Sequence, residues 1–261
     1  MYSWLRKSGR KLILDIISLS SEPKPGIHIL NGHFLSLDDH LSNNTFYNQL
    51  KSLLFHGVDY LNIEKAVEYI ENKRIPSDKC YVAFTFDDGF EECFTKIRPV
   101  LNNFGIKAGF FINPNFIDGN EEYQRNFKNN IVYTNKQPMN RDQIMILVEE
   151  GHVIGAHTMD HIKLDIDNRD ILEYQIGESK KYIEDKFKTN CDYFAFPYGR
   201  IEHINDMGVE IARKYFKYVF SQSNYKCYYS FEGKVINRRH FECDWPYRHV
   251  LYFLKEKTLT C

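Results

Sequence analysis

The stretch Phe84-Thr85-Phe86-Asp87-Asp88-Gly89 decides how this chain is read. It closes the apolar run Tyr81-Val-Ala-Phe-Thr-Phe86, which predicts a buried strand. Neighbouring residues on a strand point to opposite faces, so two adjacent carboxylates rarely both serve packing. At the C-terminal end of a strand they can divide labour, one holding a metal ion and the other moving a proton.

Outward from this stretch the pattern alternates. Strands are predicted at Gly26-Ile-His-Ile-Leu30, Ala108-Gly-Phe-Phe-Ile112, Val153-Ile-Gly-Ala156, Tyr193-Phe-Ala-Phe196 and Tyr218-Val-Phe220. Between them helical spacing covers residues 46–54, 62–71, 91–103, 168–187 and 206–216, with a last helix over 246–255. Asn62 is positioned to cap one helix, and Asn140 with Gln143 forms a capping-box pattern for another. Such alternation implies an α/β fold with a parallel sheet or barrel and working residues at strand C-termini.

The chain has 261 residues, enough for a sizeable core, and its formal net charge of -1 gives no electrostatic case for a nucleic-acid partner. The six cysteines show no zinc-knuckle or thioredoxin-like spacing and read as reduced thiols of a cytosolic protein, although a secreted protein could still pair some of them. Pro23-Lys-Pro25-Gly26 separates an N-terminal arm, residues 1–25, from one domain over 26–261. In the arm, Trp4, Leu5, Leu12, Ile16 and Leu19 can share a helical face flanked by Arg6, Lys7, Arg10 and Lys11. A helix lying on an anionic membrane surface would show this pattern, and so would a packing helix or a frayed arm. Asp15 interrupts the apolar run, so it does not read as a signal peptide. The placement expected from this is cytoplasmic, peripheral at the inner membrane face.

Asp88 follows one predicted strand, and His157 and His161 follow another. Four-residue spacing brings two imidazoles together if that segment is helical. One carboxylate and two imidazoles leave positions open for water and substrate, as in a catalytic zinc site. The same ligands suit cobalt, nickel or iron, with zinc the first choice.

Three motifs, Thr85-Phe-Asp87-Asp88-Gly89, His157-Thr-x-x-His161 and Phe194-Ala-Phe-Pro197-Tyr198-Gly199, occur in the order and approximate spacing of the polysaccharide deacetylases. These are the NodB-homology group, carbohydrate esterase family 4. The resemblance covers residues 80–200 strongly and the flanks loosely, and it implies a distorted (β/α)7-type barrel. It also implies a metal-dependent hydrolase that removes an N-acetyl group from a sugar. Asp87 would be the general base, Asp88, His157 and His161 the metal ligands, and the Tyr198 backbone N–H an oxyanion donor.

Two departures from the family pattern stand out. An arginine that often braces the catalytic carboxylate is replaced by Ala195, which leaves Arg238 and Arg239 as candidates from a later strand. The usual C-terminal Leu-x-His is missing. In the branch whose third motif reads Phe-Ala-Phe/Tyr-Pro-Tyr/Phe-Gly, the order is permuted and the acid comes from the first strand. His33 matches that position, with His28, His240 and His249 as alternatives. Asp244-Trp245 resembles a further motif, in which the acid orients the catalytic histidine and the Trp lines the substrate pocket. The insertion between Phe111 and Asn140 is expected to form a loop over the site. The substrate would be a carbohydrate, nucleotide- or lipid-linked. A glycan-binding pseudoenzyme, for which Ala195 speaks, and a hydrolase of a non-sugar amide are the alternatives. O-deacetylation and deformylation use the same tetrahedral chemistry.

Overall fold

The computed structural model describes residues 13–261. Its sheet runs β1 (Gly26–Gly32), β3 (Cys80–Phe86), β4 (Gly109–Ile112), β5 (Val153–Ala156), β6 (Tyr193–Ala195) and β7 (Tyr218–Ser221), each parallel to the next. A short β2 (Val58–Tyr60) pairs beside β3.

The segment 235–240 closes the sheet. Its first half, β9 (Val235–Asn237), pairs with β7 through Phe220–Ile236 and Ser221–Asn237. Its second half, β10 (Arg239–His240), pairs with β1 through Leu30–Arg239 and Asn31–His240. Arg238 sits at the switch. Counting β9–β10 as one stave, the ring β1, β3, β4, β5, β6, β7 and β9–β10 has seven, a distorted (β/α)7 barrel. Two further strands, β8 (Cys227–Ser230) and β11 (Thr258–Thr260), extend the β9 edge outside the ring.

The pleat sorts the side chains. Ile27, Ile29, Ala83, Phe111, Ala195, Phe220 and Ile236 form one cluster, which is the barrel interior, and Ile63, Ala66, Val67 and Ile70 of the helix Ile63–Glu71 pack into it. The opposite parity, with Phe84, Phe86, Phe110 and Ile112, meets the surrounding helices in a larger cluster. Asn31, Thr85, Asp87 and Arg238 continue the interior parity toward the strand C-termini. The interior is therefore apolar at one end and polar at the other.

Helix starts were legible. The Asn140–Gln143 capping box is present on the helix Arg141–Glu149. Asn62 does precede its helix, but its side chain accepts the Lys107 N–H at 2.7 Å instead of capping. The helices predicted over 91–103 and 168–187 are each interrupted by a π-helical segment, Cys93–Ile97 and Tyr174–Glu178. No helix among the described residues is long and apolar enough to cross a membrane.

The cysteine reading needs correction at one pair. Cys227 and Cys261 form a disulfide that ties the C-terminus to β8, while Cys80, Cys93, Cys191 and Cys243 are free and buried. Disulfides persist in oxidising compartments, so reduced thiols no longer support a cytoplasmic placement. Of the arm, Trp4, Leu5 and Leu12 lie outside the described residues. Residues 13–17 are helical, and Ile16 and Leu19 are 60% and 65% exposed.

Candidate active site

At the C-terminal mouth of the barrel lies an open cleft of about 1300 Å³. Asp87, Asp88, His157 and His161 line its floor. Asp88 leaves β3 with φ of +71° and Gly89 follows at +77°, so the chain turns sharply and aims the two carboxylates differently. A left-handed non-glycine residue of this kind costs about 1–3 kcal/mol and persists where the surroundings hold it.

Asp87 is fully buried and held on both oxygens. Arg238 donates from its two terminal nitrogens to Oδ1 and Oδ2, each at 2.8 Å, and Asn31 Nδ2 donates to Oδ2 at 3.1 Å. Arg238 is itself 0% exposed. It also donates to Thr85 Oγ1 and lies over the rings of Phe111 and Phe220. Burial pushes the Asp87 pKa up, but the charge and hydrogen bonds of Arg238, with His157 and His33, outweigh it and leave the carboxyl at about 2. The arginine missing at Ala195 is thus replaced from the strand that closes the barrel. The room for it is visible in the sequence's small residues. A Cβ on Gly155 would stand 2.5 Å from the Phe111 ring, so only glycine lets that ring lie under Arg238.

The three candidate metal ligands converge. His161 Nε2 and His157 Nε2 lie 3.2 Å and 3.6 Å from Asp88 Oδ1. Ligands held tetrahedrally at zinc distances stand about 3.3 Å apart, so the spacing fits an ion. His157 Nδ1–H donates to the Ala195 carbonyl at 2.7 Å, which leaves Nε2 with its lone pair facing the site. Asp88 Oδ1 is buried with no hydrogen-bond partner. Burial, then the charge of Asp87, raises the Asp88 pKa well above the carboxylate range. Burial lowers both histidines, His161 furthest, with His157 adding to the shift. Two neutral imidazoles and an unsatisfied carboxylate oxygen suit a divalent cation.

The histidine segment is not the helix that its spacing suggested. It is a loop with Thr158 and His161 at φ of +63° and +55°. Asn113 Nδ2 donates to the carbonyls of His157 and Thr158, the latter at 3.1 Å.

His33 lines the cleft, with its ring centroid 5.4 Å from that of His240. Burial lowers its pKa to about 4 while the charge of Asp87 acts to raise it. The expected tyrosine position before it is Gly32, where a Cβ would meet Phe86 and Phe241 at 3.2–3.3 Å. The His33 loop is tied down through Glu92, which accepts the Leu35 N–H and pairs with buried Lys136 of the insertion. His240 pairs with Glu242 at 2.9 Å, and His249 pairs with Asp15 of the arm at 2.6 Å at the cleft rim. His28 is placed elsewhere, near the start of β1, bonded to the Lys24 carbonyl.

Of the three orienting candidates, Arg238 meets Asp87 and Arg239 does not. The Arg239 guanidinium stacks on Phe253 at 3.7 Å, because the strand switch at 238 sends adjacent residues to opposite faces. Asp244 accepts from Ser36, three residues beyond His33, at 2.5 Å and lines the cleft beside Trp245. Tyr198, at φ of +60°, stands beside His161 with ring centroids 4.8 Å apart. The insertion does wall the cleft, through Ile131, Val132 and Tyr133. Sequence reasoning missed Asn31. Its signal was parity, since it lies two residues before His33 and opposite Thr85 in register.

A buried carboxylate with two imidazoles at the mouth of a seven-staved parallel barrel is a group that could hold a divalent metal ion. The chain belongs to the polysaccharide deacetylase family, whose profile matches residues 74–215, more than half of its length. A poly-beta-1,6-N-acetyl-D-glucosamine N-deacetylase of Staphylococcus aureus is 24% identical over 185 residues, covering 69% of this chain. The chain spans about 60% of the length of the curated relatives it matches. The solved structure of IcaB from Ammonifex degensii superposes with a TM-score of 0.71 at 21% identity, covering 90% of this chain and 99% of that one. The Streptococcus pyogenes deacetylase PplD, solved with acetate, gives 0.69 at 19% identity, with 89% and 99% covered. These likenesses establish the barrel as that of the family.

Proposed function

We propose that this chain is a metal-dependent carbohydrate N-deacetylase, releasing acetate from an N-acetylated sugar of a polysaccharide or glycan precursor. The carrying observation is the pairing of Asp87 with buried Arg238 directly beside the Asp88–His157–His161 triad. Asp88, His157 and His161 would hold a divalent ion, zinc by its ligand chemistry, which when bound would supply Lewis-acid polarisation of the carbonyl and a more acidic water.

The residues supply the rest. Asp87, kept ionised by Arg238, takes the proton of the attacking water as its oxygen bonds to the acetyl carbon. The Tyr198 backbone N–H would donate to the negative charge that develops on the carbonyl oxygen. His33 delivers a proton to the sugar nitrogen as the C–N bond breaks, and acetate and the free amine leave. Burial lowers the His33 pKa to about 4, and the negative charge that develops on the carbonyl oxygen, with the charge of Asp87, favours its taking up from solvent the proton that it delivers.

The cleft exceeds the roughly 300–1,000 Å³ of common small-molecule sites, which favours an extended glycan over a small non-sugar amide. Ala195 no longer argues for a pseudoenzyme, because Arg238 does the bracing. The arm supports a lipid-linked or membrane-held substrate. Ile13 and Ile17 line the cleft mouth, and with Ile16 and Leu19 they present exposed aliphatic side chains beside it. The residues just before them include Arg6, Lys7, Arg10 and Lys11, suited to an anionic lipid surface.

An acetate-release assay on N-acetylglucosamine oligomers tests the activity, with chelation and add-back of zinc. Turnover that vanishes in Asp87→Asn and His161→Ala is expected. Zinc-loaded wild type that releases no acetate from any N-acetyl sugar would refute the reading. Sedimentation with phosphatidylglycerol vesicles, lost in Ile13→Ser/Ile16→Ser, tests the membrane contact.

A further inference from the structure

His161 ends a loop that the backbone alone would not hold, with two left-handed non-glycine residues in five. Its neighbour Asp160 has no role in the chemistry above, yet it is more completely bonded than any exposed turn requires. Asp160 Oδ1 accepts from Asn115 Nδ2 at 2.7 Å and from the Tyr123 hydroxyl at 2.5 Å. Oδ2 accepts from Gln175 Nε2 at 2.7 Å, and the Asp160 N–H donates to Gln175 Oε1 at 3.0 Å.

The partners come from two elements that sequence spacing did not connect to the site. Asn115 and Tyr123 belong to the insertion, in the short helices Pro114–Asp118 and Glu121–Asn126. Gln175 is in the π-helical segment Tyr174–Glu178, and its backbone carbonyl also accepts the Met159 N–H at 3.1 Å. Irregular turns of this kind inside helices free backbone groups and recur at functional sites. The insertion touches His161 from another side as well, through the edge of Phe127 at 6.0 Å between centroids.

We infer that Asp160, gripped by Asn115, Tyr123 and Gln175, is a positioning residue that sets His161 as a metal ligand and makes the insertion part of the metal site. This rests on the metal reading of Asp88, His157 and His161. All three side-chain partners of Asp160 are donors, so an asparagine there keeps the shape but turns an N–H toward a donor. His161 Nδ1 makes no hydrogen bond, so Asp160 acts on it through the loop and its effect is expected at about 10-fold, the low end of what groups bonded directly to a metal ligand are worth.

The test is zinc binding to the full chain by competition with a chromophoric chelator, together with the visible spectrum of the cobalt-substituted protein. Asp160→Asn is expected to lose about 10-fold in zinc affinity and to alter the cobalt spectrum. Tyr123→Phe, which removes one hydroxyl and keeps the ring, should shift both the same way by less. The metal-free variants should still melt in a single cooperative transition, which shows that they are folded. Folded variants with zinc affinity within two-fold of wild type, and an unchanged cobalt spectrum, would overturn the inference while leaving the metal site standing. Should Asp160→Asn fail to fold, Tyr123→Phe decides by the same measurements. A wild-type chain that binds no zinc or cobalt would remove the metal reading and this inference with it.

Discussion

Replacing Arg238 by methionine isolates the pair at the centre of the site. The substitution keeps an unbranched side chain between Phe111 and Phe220 and removes the donors to Asp87 and Thr85. Both partners are buried, so Asp87 is left as an uncompensated charge. Breaking such a pair costs about 3–5 kcal/mol. The pH dependence carries the sharper signature. In the wild type Asp87 is depressed from 3.8 to about 2. Its contribution, on the order of 2 kcal/mol, is present above the unfolded value and is lost as pH falls from about 4 to 2. Without Arg238 the burial cost dominates, the Asp87 pKa rises, and the variant should instead gain stability on acidification. The acid limb of kcat/KM should move up by roughly 1–3 pH units. Urea unfolding at pH 3, 5 and 7 and pH–rate profiles measure both effects. Adding Asp87→Asn removes the stranded charge, so the double variant should be more stable at pH 7 than Arg238→Met alone. A single variant whose acid limb stays in place, or a double variant no more stable than the single, would refute the assignment of Arg238 as the brace.

Three further outcomes follow from other contacts of the fold. His33→Ala should lower kcat about 10²–10⁴-fold on an amide substrate while His240→Ala costs much less, and the reverse order in steady-state assays would move the acid to His240. Glu150, paired with Arg98 and held at about pKa 2 chiefly by that hydrogen bond, stabilises the fold above its unfolded value of 4.5. Glu150→Gln should therefore cost about 1 kcal/mol at pH 7, discounted for partial exposure, and the difference should vanish between pH 4.5 and 2 in urea titrations. Cys261→Ser opens a disulfide of sequence separation 34 and should lower unfolding stability by about 2–4 kcal/mol, with a non-reducing thiol count as the check that the bond was present.

Legibility in the sequence followed the range of the interactions. Strand ends and helix starts are local, so Val153–Ala156 and the Asn140–Gln143 cap were read directly. The candidate metal ligands were legible because Asp88 lies just past the end of β3 and His157 just past the end of β5, with His161 in the loop that follows β5. The loop conformation of His157–His161 was not, since four-residue spacing is shared by a helix and by a turn held from outside. That turn depends on Asn113, Asn115 and Gln175, whose side chains look like ordinary surface polar residues along the chain.

The brace on Asp87 shows why one departure from a motif could be noticed yet not resolved from sequence alone. Ala195 and Arg238 lie on different staves, 43 residues apart in a chain that gives no sign of how the barrel closes. Closure is made by a six-residue segment that pairs with β7 at one end and β1 at the other, and strand periodicity is too weak over two or three residues to show it. Once the segment is in place, parity decides between the two arginines. Arg238 shares the interior face with Asp87, and Arg239 is turned out onto Phe253. The small residues Gly155 and Ala195 then read as the consequence. Phe111 and Phe220 fill the interior beneath the guanidinium, and a second arginine arriving from β6 would have to displace them. The site therefore keeps the charge pair and changes the strand that supplies it.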